Sequence, residues 1–242
     1  MAVSFSQRSR NTEIMDDLQF HHEVVFQTLR ELDFINRWLG GNAVTLNAVE
    51  KLRQTFPGAK TVSMADLGCG SGEMLRLIAT KANQEHWKTQ LTGIDANPHI
   101  IDYARSHSLD FANIRFEALN IFSGEFQALR FDVIIATLFI HHFSEEELIH
   151  LFSLWKKQAA AIIVNDIHRH PVAYFSIKWL TSVFSKSSMV RYDAPLSVLR
   201  AFTREEIKSI LAKAGIENYK LKWKWAFRWQ LTVFCGIMPP AS

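Results

Sequence analysis

The sequence has few of the features that define specialised classes of protein. Its 242 residues include only two cysteines, Cys69 and Cys235, too few for a disulfide framework. No window approaches the roughly 18 consecutive apolar residues that a transmembrane helix needs. The first 17 residues are rich in charge and contain no apolar segment like that of a signal peptide. We therefore expect a soluble, cytoplasmic globular protein without a membrane span.

Charge is unevenly distributed along the chain, although the formal net charge is only +3. Residues 168–242 contain 12 basic and four acidic residues, whereas residues 1–167 contain 15 basic and 20 acidic residues. A basic C-terminal third could attract an anionic small molecule, nucleic acid or an acidic partner protein. It could equally be an ordinary solvated surface.

The middle of the chain alternates between short apolar runs and helical periodicity. The runs that predict strands cover residues 61–67, 91–94, 114–118, 131–136 and 160–164. The segments that predict helices between them cover residues 73–82, 98–106 and 145–156. Strands that alternate with helices indicate βαβ units and a largely parallel sheet covered on both faces.

The flanking segments have different patterns. Helical spacing over residues 13–39 and 43–55 predicts an N-terminal helical cap within residues 1–58. Residues 168–202 mix aromatic and basic residues and are expected to form a lid over a substrate pocket. A capped helix then starts at Thr203, and alternation over residues 221–235 predicts a terminal β-pair. The expected main domain covers residues 59–242.

A glycine-rich segment, Asp66-Leu67-Gly68-Cys69-Gly70-Ser71-Gly72, closes the first predicted strand and opens a helix. Glycines allow tight turns and a close approach of the backbone to a ligand. The spacing is G-x-G-x-G after an acidic residue, which differs from the G-x-G-x-x-G of dinucleotide sites. No Lys-Ser/Thr pair follows, so a phosphate-binding P-loop is also disfavoured.

Three further segments follow this one in order: Ile94-Asp95-Ala96-Asn97, Ala118-Leu119-Asn120-Ile121, and Asp132-Val133-Ile134-Ile135-Ala136-Thr137. Together with the glycine-rich segment, they resemble the motifs of class I S-adenosylmethionine-dependent methyltransferases. The resemblance implies an α/β fold with a Rossmann-like, doubly wound, mostly parallel seven-stranded sheet.

The resemblance also implies roles for individual residues in binding S-adenosylmethionine. Asp66 would orient the ammonium group, Asp95 would bind both ribose hydroxyls, and Asn120 would lie beside the adenine where many relatives have Asp. The implied cofactor-binding residues are Asp66, Gly68, Cys69, Gly70, Asp95, Ala96, Asn120, Ile121 and Thr137. In addition, Arg37 could pair with the carboxylate of the cofactor, or be an ordinary surface arginine.

Residues 35–41, 165–169 and 192–198 resemble bacterial methyltransferases associated with polyketide and aryl-pigment biosynthesis. This resemblance favours an apolar aromatic or polyketide-like acceptor. The expected reaction moves a methyl group from S-adenosylmethionine to an oxygen of that acceptor and leaves S-adenosylhomocysteine. The alternatives are a quinone-type C-methyltransferase and a cofactor-binding protein without activity. A nucleic-acid acceptor is disfavoured because no Asn-Pro-Pro-Tyr-like segment occupies residues 137–140.

Histidines near the ends of the last predicted strands are candidates for a general base. Our first candidate is His168 oriented by Asp166, because an Asp that holds a His is a common arrangement for proton removal. A helix cap with a surface histidine is the alternative. The second candidate is His141, which with His142 could instead pack beside the cofactor. The sequence lacks a carboxylate-rich cluster, so we expect no metal. It allows either a monomer or a homodimer.

Overall fold

The computed structural model describes residues 3–17, 23–56 and 61–236. Its helices are α1 (Glu23–Trp38), α2 (Gly41–Arg53), α3 (Glu73–Gln84), α4 (Pro98–Ser106), α5 (Gly124–Ala128), α6 (Glu145–Gln158), α7 (Pro171–Phe184), α8 (Ser188–Arg200) and α9 (Arg204–Lys213). Its strands are β1 (Val62–Leu67), β2 (Thr89–Asp95), β3 (Ile114–Ala118), β4 (Phe131–Thr137), β5 (Ala159–Ile167), β6 (Tyr219–Lys224) and β7 (Arg228–Phe234). Ile14–Asp16 and Ile140–His142 form 3-10 turns.

The strands form one sheet in the order β3-β2-β1-β4-β5-β7-β6. Strands β1 to β5 pair in parallel, whereas β7 pairs antiparallel with both β5 and β6. This confirms the predicted doubly wound, mostly parallel sheet and its terminal β-pair. The strand order reverses between β1 and β4, so a crevice opens at their carboxyl ends, where ligands bind in folds of this type.

Alternation along the strands divides the core between the two faces of the sheet. Leu67 of β1 and Ile134 of β4 pack with α6 and α9, while Met64 and Ile135 of the same strands pack with α2 and α3. The strands are apolar on both sides because both faces are covered, which is characteristic of parallel sheets. The buried sheet therefore provides a rigid base for the crevice.

The N-terminal helices differ from the prediction. Residues 13–17 form a 3-10 turn and its flanks, helix α1 follows from Glu23, and residues 18–22 of the predicted helix 13–39 lie outside the described residues. Helix α2 packs on the sheet, with Ala48 and Val49 in the same core as β1 and β3. The short helix α5 was not predicted, since five residues are too few to show helical periodicity.

The predicted lid forms a helical pair, α7 and α8, which confirms a helical insertion before the terminal strands. Arg169, which is 4% exposed, anchors its start. Its guanidinium donates to the Phe5 and Ala201 carbonyls at 3.0 and 2.6 Å and to both carboxylate oxygens of Glu206 at 2.9 and 2.7 Å. Glu206 also completes the capping box of α9 with Thr203. No helix in the three described ranges is long and apolar enough to cross a membrane.

Loss of the Arg169 guanidinium should destabilise the fold. We expect Arg169→Met to lower the free energy of unfolding by about 3 kcal/mol, because it leaves the Glu206 carboxylate and two carbonyls without their buried donor. The control is Lys213→Met, at the end of α9, which removes the exposed ion pair to Glu145 of α6 and should cost less than about 1 kcal/mol. Urea unfolding followed by circular dichroism measures both. Equal losses would show that the Arg169 contacts add nothing to stability.

Candidate active site

The glycine loop between β1 and α3 has a conformation that requires glycine. Gly68, Gly70 and Gly72 all have positive φ angles, of 65, 51 and 76 degrees. At Gly68 there is also no room for a side chain, because a Cβ atom would lie 2.2 Å from the ring of Phe139. The loop is fixed by the amide groups of Gly68 and Cys69, which donate to the Ile94 carbonyl.

Asp66 lies at the end of β1, where the crevice begins. Its side chain is 2% exposed, and within the described residues no hydrogen-bond donor reaches its carboxylate. Burial, with the nearby charge of Asp95, raises its pKa to about 8. A buried carboxylate without donors favours a cationic group as its partner.

Asp95 ends β2 on the other side of the glycine loop. Its carboxylate accepts hydrogen bonds from the amide groups of Asn97 at 3.0 Å and Gly70 at 3.4 Å. Burial raises its pKa above the usual value. Each carboxylate oxygen retains free acceptor capacity toward the crevice, which suits a pair of neighbouring hydroxyl groups.

One cavity of about 1180 Å³ brings these residues together. It is lined by nine of the ten predicted cofactor-binding residues: Asp66, Gly68, Cys69, Gly70, Asp95, Ala96, Asn120, Ile121 and Thr137. The side-chain oxygen of Asn120 accepts from the Phe122 amide at 2.9 Å, and the hydroxyl of Thr137 hydrogen-bonds to that of Thr45 at 3.0 Å.

Arg37 is the predicted cofactor residue that the structure does not bring into the cavity. Its side chain is 72% exposed and forms an ion pair with Glu73, the first residue of α3. Glu73 also accepts a hydrogen bond from the Asn42 amide group at 2.9 Å. The guanidinium is thus held at the surface by a carboxylate that itself lines the cavity.

Asp166 organises the loop that follows β4. One carboxylate oxygen accepts three backbone hydrogen bonds, from Phe139, Ile140 and His141 at 3.1, 2.8 and 3.3 Å. The other lies 2.7 Å from Nδ1 of His141 and 2.7 Å from the amide nitrogen of Ile167. Burial alone would raise the pKa of Asp166, but the interaction with His141 and the backbone donors holds it below the usual value. An ionised carboxylate therefore faces His141.

The expected pairing of Asp166 with His168 is not formed. Strand β5 extends through Ile167, so Asp166 lies inside the strand and its carboxylate turns toward His141. His168 is absent from the cavity lining, and its Nδ1 is buried without a described partner. Its ring centroid lies 4.7 Å from that of Trp229, with the two rings tilted. Burial, with His170 and Arg169 nearby, lowers its pKa. His168 is therefore replaced by His141 as the histidine held by Asp166.

Glu13 is a residue that the sequence did not suggest. It is 6% exposed, lines the cavity and has an oxygen without a hydrogen-bond partner among the described residues. That oxygen lies 3.7 Å from Nε2 of His141 and 3.6 Å from Nε of Arg200. Burial raises the pKa of Glu13 to about 7. No motif marks this residue, because it comes from a separate 3-10 turn that meets the loop only in the folded chain.

Glu13, His141 and His142 also form the one potential metal cluster among the described residues, with one ligand atom from each within 4.8 Å of the others. His142 Nδ1 lies 2.6 Å from one carboxylate oxygen of Asp16. The other carboxylate oxygen of Asp16 lies 2.5 Å from Nη1 of Arg200. The Arg200 guanidinium beside Glu13 opposes a second cation at this point. The cluster is suited to handling protons.

The chain matches a known protein family in sequence and known structures in fold. A family model described as "Methyltransferase domain" matches residues 59–216. No curated protein matches the sequence at a significant level. Among solved structures, the chain is similar to the plantazolicin methyltransferase BpumL in complex with SAH, with 20% identity and a TM-score of 0.63 over 85% of this chain and 89% of that one.

Two further structures share the fold. A putative O-methyltransferase from Nostoc punctiforme has 14% identity and a TM-score of 0.62, over 94% of this chain and 64% of that one. The CurJ carbon methyltransferase has 15% identity and a TM-score of 0.60 over 81% of this chain, which spans about half (54%) of that longer chain. The match of the family model to more than half of the sequence shows that this chain belongs to the methyltransferase domain family.

Proposed function

We propose that this chain transfers a methyl group from S-adenosylmethionine to an oxygen of an apolar aromatic or polyketide-like molecule. One observation carries the proposal. A single cavity joins the carboxylates of Asp66 and Asp95 to the imidazole of His141, beneath the helical lid. A charged cofactor and an acceptor that must lose a proton can therefore bind in the same cavity.

The described residues fit S-adenosylmethionine. The carboxylate of Asp66, which no donor in the described ranges reaches, suits the ammonium group, and the free acceptor capacity of Asp95 suits the ribose hydroxyls. Asn120 and Ile121 border the region where the adenine would lie. When bound, S-adenosylmethionine supplies a methyl group on a positively charged sulfur for an in-line displacement.

His141 is positioned to remove the acceptor proton. Because the ionised Asp166 carboxylate can only accept, Nδ1 of His141 carries the hydrogen and Nε2 has a free lone pair. Nε2 lies beside Glu13 at the cavity wall. Deprotonation turns a weakly acidic phenol into a strong nucleophile, and Asp166 stabilises the resulting imidazolium.

The acceptor pocket is apolar on several sides. The apolar side chains that line it come from the N-terminal segment, α1, the loop after β4 and the lid, and include Met15, Leu29, Leu32, Phe139, Ile177, Leu180 and Val198. Such walls favour an aromatic or polyketide-like molecule over a sugar or a nucleic acid. The same base would also serve a carbon acceptor flanked by hydroxyls, and identification of the methylated atom by NMR of the product separates O- from C-methylation.

Cofactor affinity should depend on the ionisation of Asp66. With a pKa of about 8, Asp66 must lose a proton before it can pair with the ammonium group. An α-ammonium remains protonated below about pH 7.7, so affinity should rise about tenfold per pH unit below that value. Calorimetry of S-adenosylmethionine binding measures this slope. Asp66→Asn should bind more weakly and without the slope, whereas Asp102→Asn, exposed on α4, should behave as wild type. A pH-independent wild-type affinity would contradict the role of Asp66.

Removal of the His141 imidazole should slow turnover of weakly acidic phenols. We expect His141→Asn to lower kcat by about 10²–10⁴ with cofactor affinity preserved, and acidic phenols that are already ionised to restore the rate. The matched control is His168→Asn, which should keep near-normal kcat because this histidine lies outside the cavity lining. Formation of S-adenosylhomocysteine is the assay. A cofactor-binding protein without activity would bind the cofactor but form no S-adenosylhomocysteine with any phenol.

Chelation should leave the activity intact. Dialysis against EDTA, followed by metal analysis and the same assay, should give unchanged kcat, because Arg200 already lies 3.6 Å from the Glu13 carboxylate. Loss of turnover that one equivalent of a divalent metal restores would instead assign Glu13, His141 and His142 to a metal.

A further inference from the structure

Large apolar side chains are exposed mainly in one region of the surface. Nine of the 13 in the described residues belong to α1, α7 and the β6–β7 hairpin. Four of them, which we call the aromatic rim, also line the cavity: Trp38, Phe175, Trp179 and Trp225. They are 58–71% exposed. A residue that both lines a cavity and faces solvent lies at its mouth, so four exposed aromatic side chains border the mouth of the cavity.

Helix α7 continues this surface away from the mouth. Val172, Phe175, Trp179 and Val183 are each more than half exposed and recur at the spacing of one helical stripe. The opposite side of α7, including Ala173 and Tyr174, is buried. The helix is therefore apolar on its inner side and along one outer stripe. Contiguous apolar surface of this kind marks an interaction site.

The exposed charges on the lid and on the β6–β7 hairpin are of one sign. Neither α7, α8 nor the β6–β7 hairpin has an exposed acidic residue, since the one acid, Asp193, is buried. The exposed basic residues on these elements and on the α7–α8 connection are Lys178, Lys186, Arg191, Lys220 and Lys222. None of them forms an ion pair with any residue that the structure describes. In β6, Lys222 and Lys224 lie opposite Gln230 and Arg228.

The register places these lysines relative to the rim. Gln230 donates to the Val44 carbonyl of α2, and Arg228 donates to Asn36 of α1. Opposed residues in a β-pair point to the same face. Lys222 and Lys224 therefore lie on the face of the sheet that α1 and α2 cover. Helix α1 also carries Trp38 of the aromatic rim.

We propose that the aromatic rim and its basic surround dock on an anionic lipid bilayer. Exposed tryptophan and phenylalanine among unpaired lysines form the combination that inserts at the boundary between headgroups and acyl chains. Docked in this way, the cavity mouth opens toward the acyl region. An apolar acceptor then enters the cavity from the bilayer without crossing water. This entry route rests on the proposed methyl transfer, whereas the docking itself does not.

The arrangement favours a bilayer over a protein partner. The exposed apolar residues come from three separate elements, four of them line the cavity, and the exposed charges of the lid and hairpin are basic, which matches an anionic surface. An acidic carrier protein and a second copy of this chain are the competing occupants.

Vesicle co-sedimentation of the full chain, without cofactor or acceptor, tests the docking. Binding should be strong to vesicles of phosphatidylcholine mixed with phosphatidylglycerol and weak to phosphatidylcholine alone. Val183→Asp/Phe184→Asp, at positions outside the cavity lining, should reduce binding about tenfold or more. Lys178→Glu should reduce it about fivefold or more, and salt should weaken the wild type.

Two control variants lie outside α1, α7, α8 and the hairpin. Leu109→Asp, in the segment before the edge strand β3, and Lys157→Glu, at the end of α6, should bind as wild type. Turnover of a water-soluble phenol by Val183→Asp/Phe184→Asp should match wild type, so loss of docking is separable from loss of activity. Absence of binding to the anionic vesicles, or equal loss in the controls, would overturn the proposal. The proposal would also be overturned if vesicles did not bind and the same residues were instead required for dimerisation or for binding of an acidic carrier protein.

Discussion

The buried carboxylate of Asp166 is the interaction on which the site depends. It lies inside β5, yet its hydrogen bonds go to the loop after β4, including three backbone amide groups and the His141 ring. A buried charge is tolerated when its oxygens are fully hydrogen-bonded. The carboxylate thereby fixes the backbone that carries His141 and selects the tautomer of its imidazole. The glycine loop and the lid are arranged around the loop that carries His141, which Asp166 holds in place.

Most of the fold could be predicted from the sequence, because it follows from local periodicity. The five parallel strands, α4 at residues 98–106 and the capped helix after Thr203 all carry strong local signals. The cofactor end of the site was equally predictable, since its residues follow strand ends in a fixed order. A parallel sheet brings such positions to one edge whatever their separation in sequence.

The catalytic end was less predictable because it depends on contacts between distant segments. Asp166 and His168 are neighbours in sequence, but the extension of β5 and its pairing with β7 turn Asp166 toward a residue 25 positions earlier. Glu13 reaches the same place from a 3-10 turn with no recognisable motif. Arg37 illustrates the reverse case, where a plausible ligand is already paired with Glu73. Side-chain partners of this kind are decided by tertiary packing.

The ring of Phe139 has one further consequence. It occupies the space where Gly68 lacks a Cβ atom, while its own backbone amide group donates to Asp166. One residue therefore touches both the glycine loop and the carboxylate that holds His141. Positions 68 and 139 are thereby coupled: a larger residue at position 68 would require a smaller one at position 139, and that exchange would loosen the loop that carries His141.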